Sequence, residues 1–173
     1  RDLAFTGLGC ALGKKREINE AIVAFQRAID LNPYSVDAHY NLSITLMQMN
    51  RVDEAIGEYR KAIQINSNNP ILRNNFGNVL AAKGRYGEAA LEYAEAVRIQ
   101  PKNASAHNNL AMVLMWQGKV DEAEKHFREA LRLHPEYANA HFNLANILKK
   151  KGLLHEADLH YREAIRINPE YKQ

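Results

Sequence analysis

The strongest constraint on this chain is internal repetition at a fixed interval. The pairs Glu20-Ala21, Glu54-Ala55, Glu88-Ala89, Glu122-Ala123 and Glu156-Ala157 step by 34 each time. So do Phe25, Tyr59, Tyr93, Phe127 and Tyr161, and the small residues Ala28, Ala62, Ala96, Ala130 and Ala164. Pro33, Pro101, Pro135 and Pro169 are 68, 34 and 34 apart, and no insertion or deletion breaks the register across the 173 residues. A fixed period of this size means that one supersecondary unit is laid down repeatedly. A single unit cannot bury its own apolar face, so neighbours stack and share a continuous core.

Within a unit the apolar spacing is helical: Val36, Tyr40, Ile44 and Met47, with Leu42 and Leu46, recur at three and four. Arg16, Asn50, Gly84, Gly118 and Gly152 follow at the position where a left-handed residue ends a helix. Glycine and asparagine suit that conformation, and Arg16 is expected to be strained or differently turned there. A second helix then opens with acids, as in "VDEA" at 52–55 and 120–123, where carboxylates face the positive end of the helix dipole. It stops before "NP", "QP" or "HP", because proline cannot continue it. Each unit therefore reads as an antiparallel helix pair, and the fold class as all-α. Ser67 replaces the closing proline of the second unit and Pro70 follows three residues later, so the third pair is expected to start slightly out of step.

Composition removes several function classes. Apolar residues are interrupted every few positions, short of the roughly 18 in a row that span a bilayer, so no membrane insertion is expected. The net charge of +3 is spread out, with basic runs no longer than "KKR" and "KKK". No basic stripe with interleaved aromatics forms, which argues against a nucleic-acid partner. Cys10 is the only cysteine. It excludes an internal disulfide framework and permits a reducing compartment, with a slight lean to the cytoplasm.

No reaction centre emerges either. "FTGLGCALGKK" at 5–15 resembles a phosphate loop, yet no buried strand precedes it, and in register Gly7, Gly9 and Gly13 fall inside a helix. Gly9 is the small residue where the two helices of a pair approach. Glycines inside a helix make the first one the most easily frayed. "HEADLH" at 155–160 places His155 and His160 five apart, not the four that put two ligands on one helix face. Both are expected to be solvated, and His107 and His141, in adjacent repeats, lack further ligands. Cys10 has no His–Asp partner in sequence to activate it. The chain is expected to be non-catalytic, with no cofactor and no metal.

The unit resembles the tetratricopeptide repeat. In 2–35 the matching residues are Phe5, Leu8, Gly9, Leu12, Ala21, Phe25, Ala28 and Pro33. In 104–137 they are His107, Leu110, Ala111, Leu114, Ala123, Phe127, Ala130 and Pro135. His39, Arg73, His107 and His141 stand where the family usually has tryptophan. The resemblance implies a single domain of units 2–35, 36–69, 70–103, 104–137 and 138–171, with 172–173 the cut start of a further unit. It also implies a right-handed superhelical solenoid whose first helices line a concave groove that binds peptides. Projected onto that groove, the peptide-binding residues are Tyr40, Asn41, Asn74, Asn75, Asn78, Asn108, Asn109, Met112, Trp116, Phe142, Asn143 and Asn146. An asparagine amide both donates and accepts, which suits a peptide backbone, while Met and Trp supply apolar pockets.

The row Asn41, Asn75, Asn109 and Asn143 is similar to one in the tetratricopeptide superhelix of O-linked N-acetylglucosamine transferase, where it holds substrate polypeptide. The alternative reading has these amides bonding neighbouring helices. The carboxylate clamp of chaperone adaptors is not matched. Its frames fall on Thr6, Cys10, Asn41, Ile71 and Asn75, on Tyr40, Ile44, Asn75, Ser105 and Asn109, and on Asn74, Asn78, Asn109, Asn139 and Asn143, none of which supplies a cation. The expected function is a scaffold that binds an extended polypeptide. Two alternatives stay open: a substrate-recruiting region of a larger enzyme such as a glycosyltransferase, and a self-assembly module. Leu154, Leu159 and Ile165 of the last pair have no evident cover, so the chain is expected to be a piece of a longer array or to stack on another copy.

Overall fold

The computed structural model describes residues 1–172, and among these every regular element is helical. The helices are α1 (Asp2–Lys14), α2 (Ile18–Leu31), α3 (Val36–Gln48), α4 (Val52–Ile65), α5 (Pro70–Ala82), α6 (Tyr86–Ile99), α7 (Ala104–Trp116), α8 (Val120–Leu133), α9 (Ala138–Lys150) and α10 (Leu154–Ile167). A 3-10 turn over Pro169–Tyr171 follows. Of the further unit expected to begin at 172–173, Gln173 lies outside the described residues. The chain divides into two compact units, Arg1–Val79 and Leu80–Gln173, the division falling inside α5. In the first unit α1 packs on α2, α2 on α3 and α3 on α4. In the second α6 packs on α7, α7 on α8, α8 on α9 and α9 on α10.

All five turns between the helices of a pair close in the same way. The residue after the cap donates its N–H to the carbonyl three before it, and the next residue reaches five back: Arg16 to Gly13 and Glu17 to Leu12, Gly118 to Met115 and Lys119 to Leu114. This Schellman arrangement satisfies the last carbonyls of a helix and needs a left-handed residue. Gly84, Gly118 and Gly152 supply it at φ 73, 76 and 79°. Arg16 and Asn50 adopt it at φ 64 and 58°, so Arg16 carries the strain expected of it.

The third pair is not out of step. α5 begins at Pro70, the place in register that Val36 holds as the first residue of α3. Asn69 caps it, its Oδ1 accepting from the N–H groups of Ile71 and Leu72. Proline is tolerated at the first helical position, where its missing N–H has no intrahelical partner to lose.

The small residues let the helices of a pair approach. Ala21, Ala28, Ala55, Ala62, Ala123 and Ala130 have no exposed surface. A Cβ built at Gly9 would lie 2.6 Å from the Phe25 ring, which identifies that glycine as the contact point of α1 and α2. Phe25, Leu42 and Leu46 form the core of the first unit with Ala21 and Ala55, and Cys10 packs partly buried beside them. Phe127, Leu144, Ile147 and Leu148 are fully enclosed in the second. Among the described residues, no helix is long and apolar enough to cross a membrane.

Candidate functional site

The residues expected to bind a peptide lie on α3 and α5, on α7 and on α9, and the structure gives them different surroundings. In the first unit Asn41 donates its amide to the Asp37 carbonyl of its own helix at 2.8 Å. Asn75 donates to the Tyr40 hydroxyl at 2.7 Å. Tyr40 packs edge-on against Tyr59, with ring centroids 6.0 Å apart, and Tyr59 stacks on Phe76 at 5.5 Å. Burial pushes the Tyr59 hydroxyl up to about 12, against the opposing bond to Ser43. Asn74 is buried and Asn78 exposed, and both have interaction partners.

In the second unit three of these residues meet on α7. Asn108 is 2% exposed. Its amide nitrogen donates to Asn109 Oδ1 at 3.3 Å and lies 3.7 Å from the Met112 sulfur. Its carbonyl oxygen has no hydrogen-bond donor, the only such buried side-chain atom among the described residues. Asn109 and Met112 themselves are half-buried. Trp116, at the end of α7, is 53% exposed and leans on Tyr86 of α6, centroids 4.5 Å apart.

On α9, Asn143 is half-buried, with no side-chain partner among the described residues. Asn146 accepts from the Tyr161 hydroxyl at 2.5 Å. Phe142 sits between Tyr161, edge-on at 5.8 Å, and Tyr171, stacked at 4.6 Å. Tyr171 also donates its hydroxyl to Asn139. The groove-facing asparagines thus serve several purposes: Asn41, Asn75 and Asn146 make structural bonds, while Asn108 and Asn143 keep hydrogen-bonding capacity.

Sequence reasoning missed Tyr86, Tyr161 and Tyr171, because apolar spacing at three and four within a helix does not say which residues meet between helices. It also took His160 for a solvated side chain. That residue is half-buried, its Nδ1 2.8 Å from Nδ1 of His141, whereas His155 is exposed as expected. Among the described residues, no group of three or more His, Cys, Asp or Glu side chains is arranged to hold a metal ion.

Comparison with known proteins agrees with this architecture. A family model described as tetratricopeptide repeat matches residues 103–170. One described as TPR repeat matches residues 10–50, 44–84 and 77–118. No curated protein sequence matches the chain. Among solved structures, pilF of Pseudomonas aeruginosa is 27% identical over 96% of this chain and 76% of its own, with a TM-score of 0.85. MamA from Desulfovibrio magneticus RS-1 (41-end) is 16% identical over 98% and 96%, with a TM-score of 0.87. YrrB, described as a TPR protein with an unusual peptide-binding site, is 22% identical over 98% and 87%, with a TM-score of 0.84. The last two likenesses concern the fold alone. With two family models spanning residues 10–170 on a succession of antiparallel helix pairs, this chain belongs to the tetratricopeptide repeat family.

Proposed function

We propose that the chain is a protein-interaction scaffold that holds an extended polypeptide segment against its odd-numbered helices, through asparagine amides and apolar side chains. Members of this family are protein-interaction modules, typically non-catalytic, and a peptide-binding site is described for YrrB. The chain reads as a single domain of five such units, 2–35, 36–69, 70–103, 104–137 and 138–171.

The observation that carries the reading is the unpartnered carbonyl oxygen of Asn108. A buried acceptor without a donor costs about 1–3 kcal/mol, and folded proteins seldom leave one so. The amide nitrogen of the same side chain is held by Asn109 Oδ1 and lies beside the pliable Met112. An unpartnered amide oxygen suits an incoming N–H, the group that peptide backbones carry regardless of sequence. The free amide of Asn143 adds a hydrogen-bonding group on α9, and the half-exposed Trp116 adds apolar surface on α7.

The test starts with a display library of unstructured peptides selected on the intact chain. Each selected peptide is then resynthesised with single backbone N-methyl groups. Loss of one N–H bond to the site is expected to weaken binding about tenfold, from a net bond of about 1–1.5 kcal/mol. The variants Asn108→Ala and Asn109→Ala/Asn143→Ala should lose binding while circular dichroism shows full helicity, because alanine is the better helix former. Selected peptides that bind equally well to these variants, and tolerate N-methylation everywhere, would overturn the proposal.

A further inference from the structure

The fourth residue of α3, α7 and α9, counted from the first, is a histidine that faces a side chain of the following helix: His39 faces Glu58, His107 faces His126 and His141 faces His160. At this place the two units differ. In the first unit His39 is buried, its Nε2 3.0 Å from the Pro33 carbonyl and its Nδ1 2.5 Å from Glu58 Oε2. In the second unit His107 and His141 are buried in the same way, with Nε2 at 3.0 and 2.9 Å from the carbonyls of Pro101 and Pro135. Here, however, Nδ1 meets another histidine: His126 Nδ1 at 2.9 Å and His160 Nδ1 at 2.8 Å. Ring centroids are 5.2 and 5.0 Å apart.

The protons can be assigned from the partners. A carbonyl can only accept, so Nε2 of His107 and of His141 carries hydrogen. With that ring neutral, its Nδ1 is a lone pair, and the facing His126 or His160 must donate its Nδ1–H. One extra proton can still sit on the outer Nε2 of the donating ring. A second would put hydrogen on both facing nitrogens, which breaks the bond and sets two cations side by side. Two ligands of a single tetrahedral zinc would be about 3.3 Å apart, wider than either pair, so the geometry is that of a hydrogen bond. At the His39 position the geometry differs, because both ring nitrogens face acceptors, the Pro33 carbonyl and Glu58 Oε2.

We propose that the His107–His126 and His141–His160 pairs make the Leu80–Gln173 unit acid-sensitive, so that its helix pairs α7–α8 and α9–α10 loosen below about pH 6 while the Arg1–Val79 unit, with His39–Glu58 at the equivalent place, does not. The surrounding charges do not cancel the effect. Glu122 and Glu129 of α8 act on His126, but burial and then His107 outweigh them and hold His126 below the usual imidazole range. On His160, burial, then His141 and also Arg128 of α8, outweigh Glu156 and Glu163. Three of these carboxylates are already engaged by guanidinium groups: Glu129 by Arg132, Glu163 by Arg166, and Glu156 by Arg128. Arg166 also reaches Glu136. In the first unit Lys61 bonds Glu58 beside His39. A group whose folded pKa is depressed binds fewer protons folded than unfolded, so stability is intact above about pH 6.5 and falls as pH drops below it.

Hydrogen exchange of the intact chain, corrected for the intrinsic rate at each pH, tests this between pH 7.5 and 5.5. Protection of α7–α10 is expected to fall about tenfold per pH unit for each pair that forgoes a proton, below about pH 6.5. Protection of α1–α4 should hold. His126→Glu/His160→Glu, which copies the His39–Glu58 arrangement, should abolish the loss. Equal loss in both units, or undiminished loss in the double variant, would overturn the proposal. Should that variant fail to fold, histidine NMR titration of the unmodified chain decides. Coupled uptake with a strongly delayed second proton supports the pairs, and four rings titrating independently near pH 6.5 refutes them.

Discussion

Gly7 and Gly9 lie on α1, two residues apart, and replacing each with alanine separates helix propensity from packing. Both substitutions gain about 1 kcal/mol from restricting the unfolded chain. At Gly7 the new methyl meets nothing within 4 Å, so the gain stands. At Gly9 it would fall 2.6, 2.7 and 2.8 Å from three atoms of the Phe25 ring, and that ring is 2% exposed. Phe25 cannot swing into solvent, so the two helices must part slightly or the ring must leave its rotamer. Overpacking of this kind costs about 1–3 kcal/mol. Ala111 and Ala145 occupy the same register in the second unit with no exposed surface, so the pair geometry can accommodate a methyl and the cost does not exceed that range. Gly9→Ala is therefore expected to be neutral to about 2 kcal/mol destabilising, and Gly7→Ala about 1 kcal/mol stabilising. In urea unfolding followed by circular dichroism, a gap of about 1–3 kcal/mol moves the midpoints apart by roughly 0.5–1.5 M, at a slope of about 2 kcal/mol/M. Adding Phe25→Leu should return part of the Gly9→Ala loss. Equal midpoints for the two alanine variants would refute the close approach of α1 and α2 at Gly9.

Arg16→Gly should stabilise the chain by about 0.5–1 kcal/mol in the same assay, since a side chain in the left-handed region costs about 1–2 kcal/mol and glycine's greater unfolded freedom returns part of it. Gly118→Ala, at φ 76°, should lose about 1–2 kcal/mol, and the reverse order would refute the turn geometry. The Tyr59 hydroxyl, raised by burial to about 12, keeps its full stabilising contribution below about pH 10 and loses it as pH climbs from 10 toward 12. The alkaline decline in unfolding free energy should be shallower in Tyr59→Phe. An identical decline in both proteins would show that Tyr59 is not buried as described.

Much of the fold was legible before any coordinates. The helix starts follow from the repeat register, and so does the turn position at Arg16, which the sequence left as strained or differently turned and the structure makes left-handed. The one misjudged element was the start of α5. There the absent proline at Ser67 suggested a shift, and the cap supplied by Asn69 removed it. The candidate site was less legible. Asn41, Asn75, Asn109 and Asn143 share a register position, yet Asn41 bonds its own helix and Asn75 bonds Tyr40, while Asn143 keeps its amide free. Asn108 looked like any other flanking asparagine until burial stranded its carbonyl oxygen.

The sequence by itself determined the repeating helix pair, its turns and the small residues at its waist. These depend on backbone torsions and on spacing at three and four, which act within a few residues. Tertiary structure alone decided which polar groups are spent and which stay available, and that His107 and His141 meet imidazoles where His39 meets a carboxylate. The reason is that a side chain's partner across a helix pair sits on the other helix, 19 residues away at each of the three histidines, beyond the turn and beyond the reach of spacing at three and four. Neither helical period nor composition reports what that partner is until packing brings the two together.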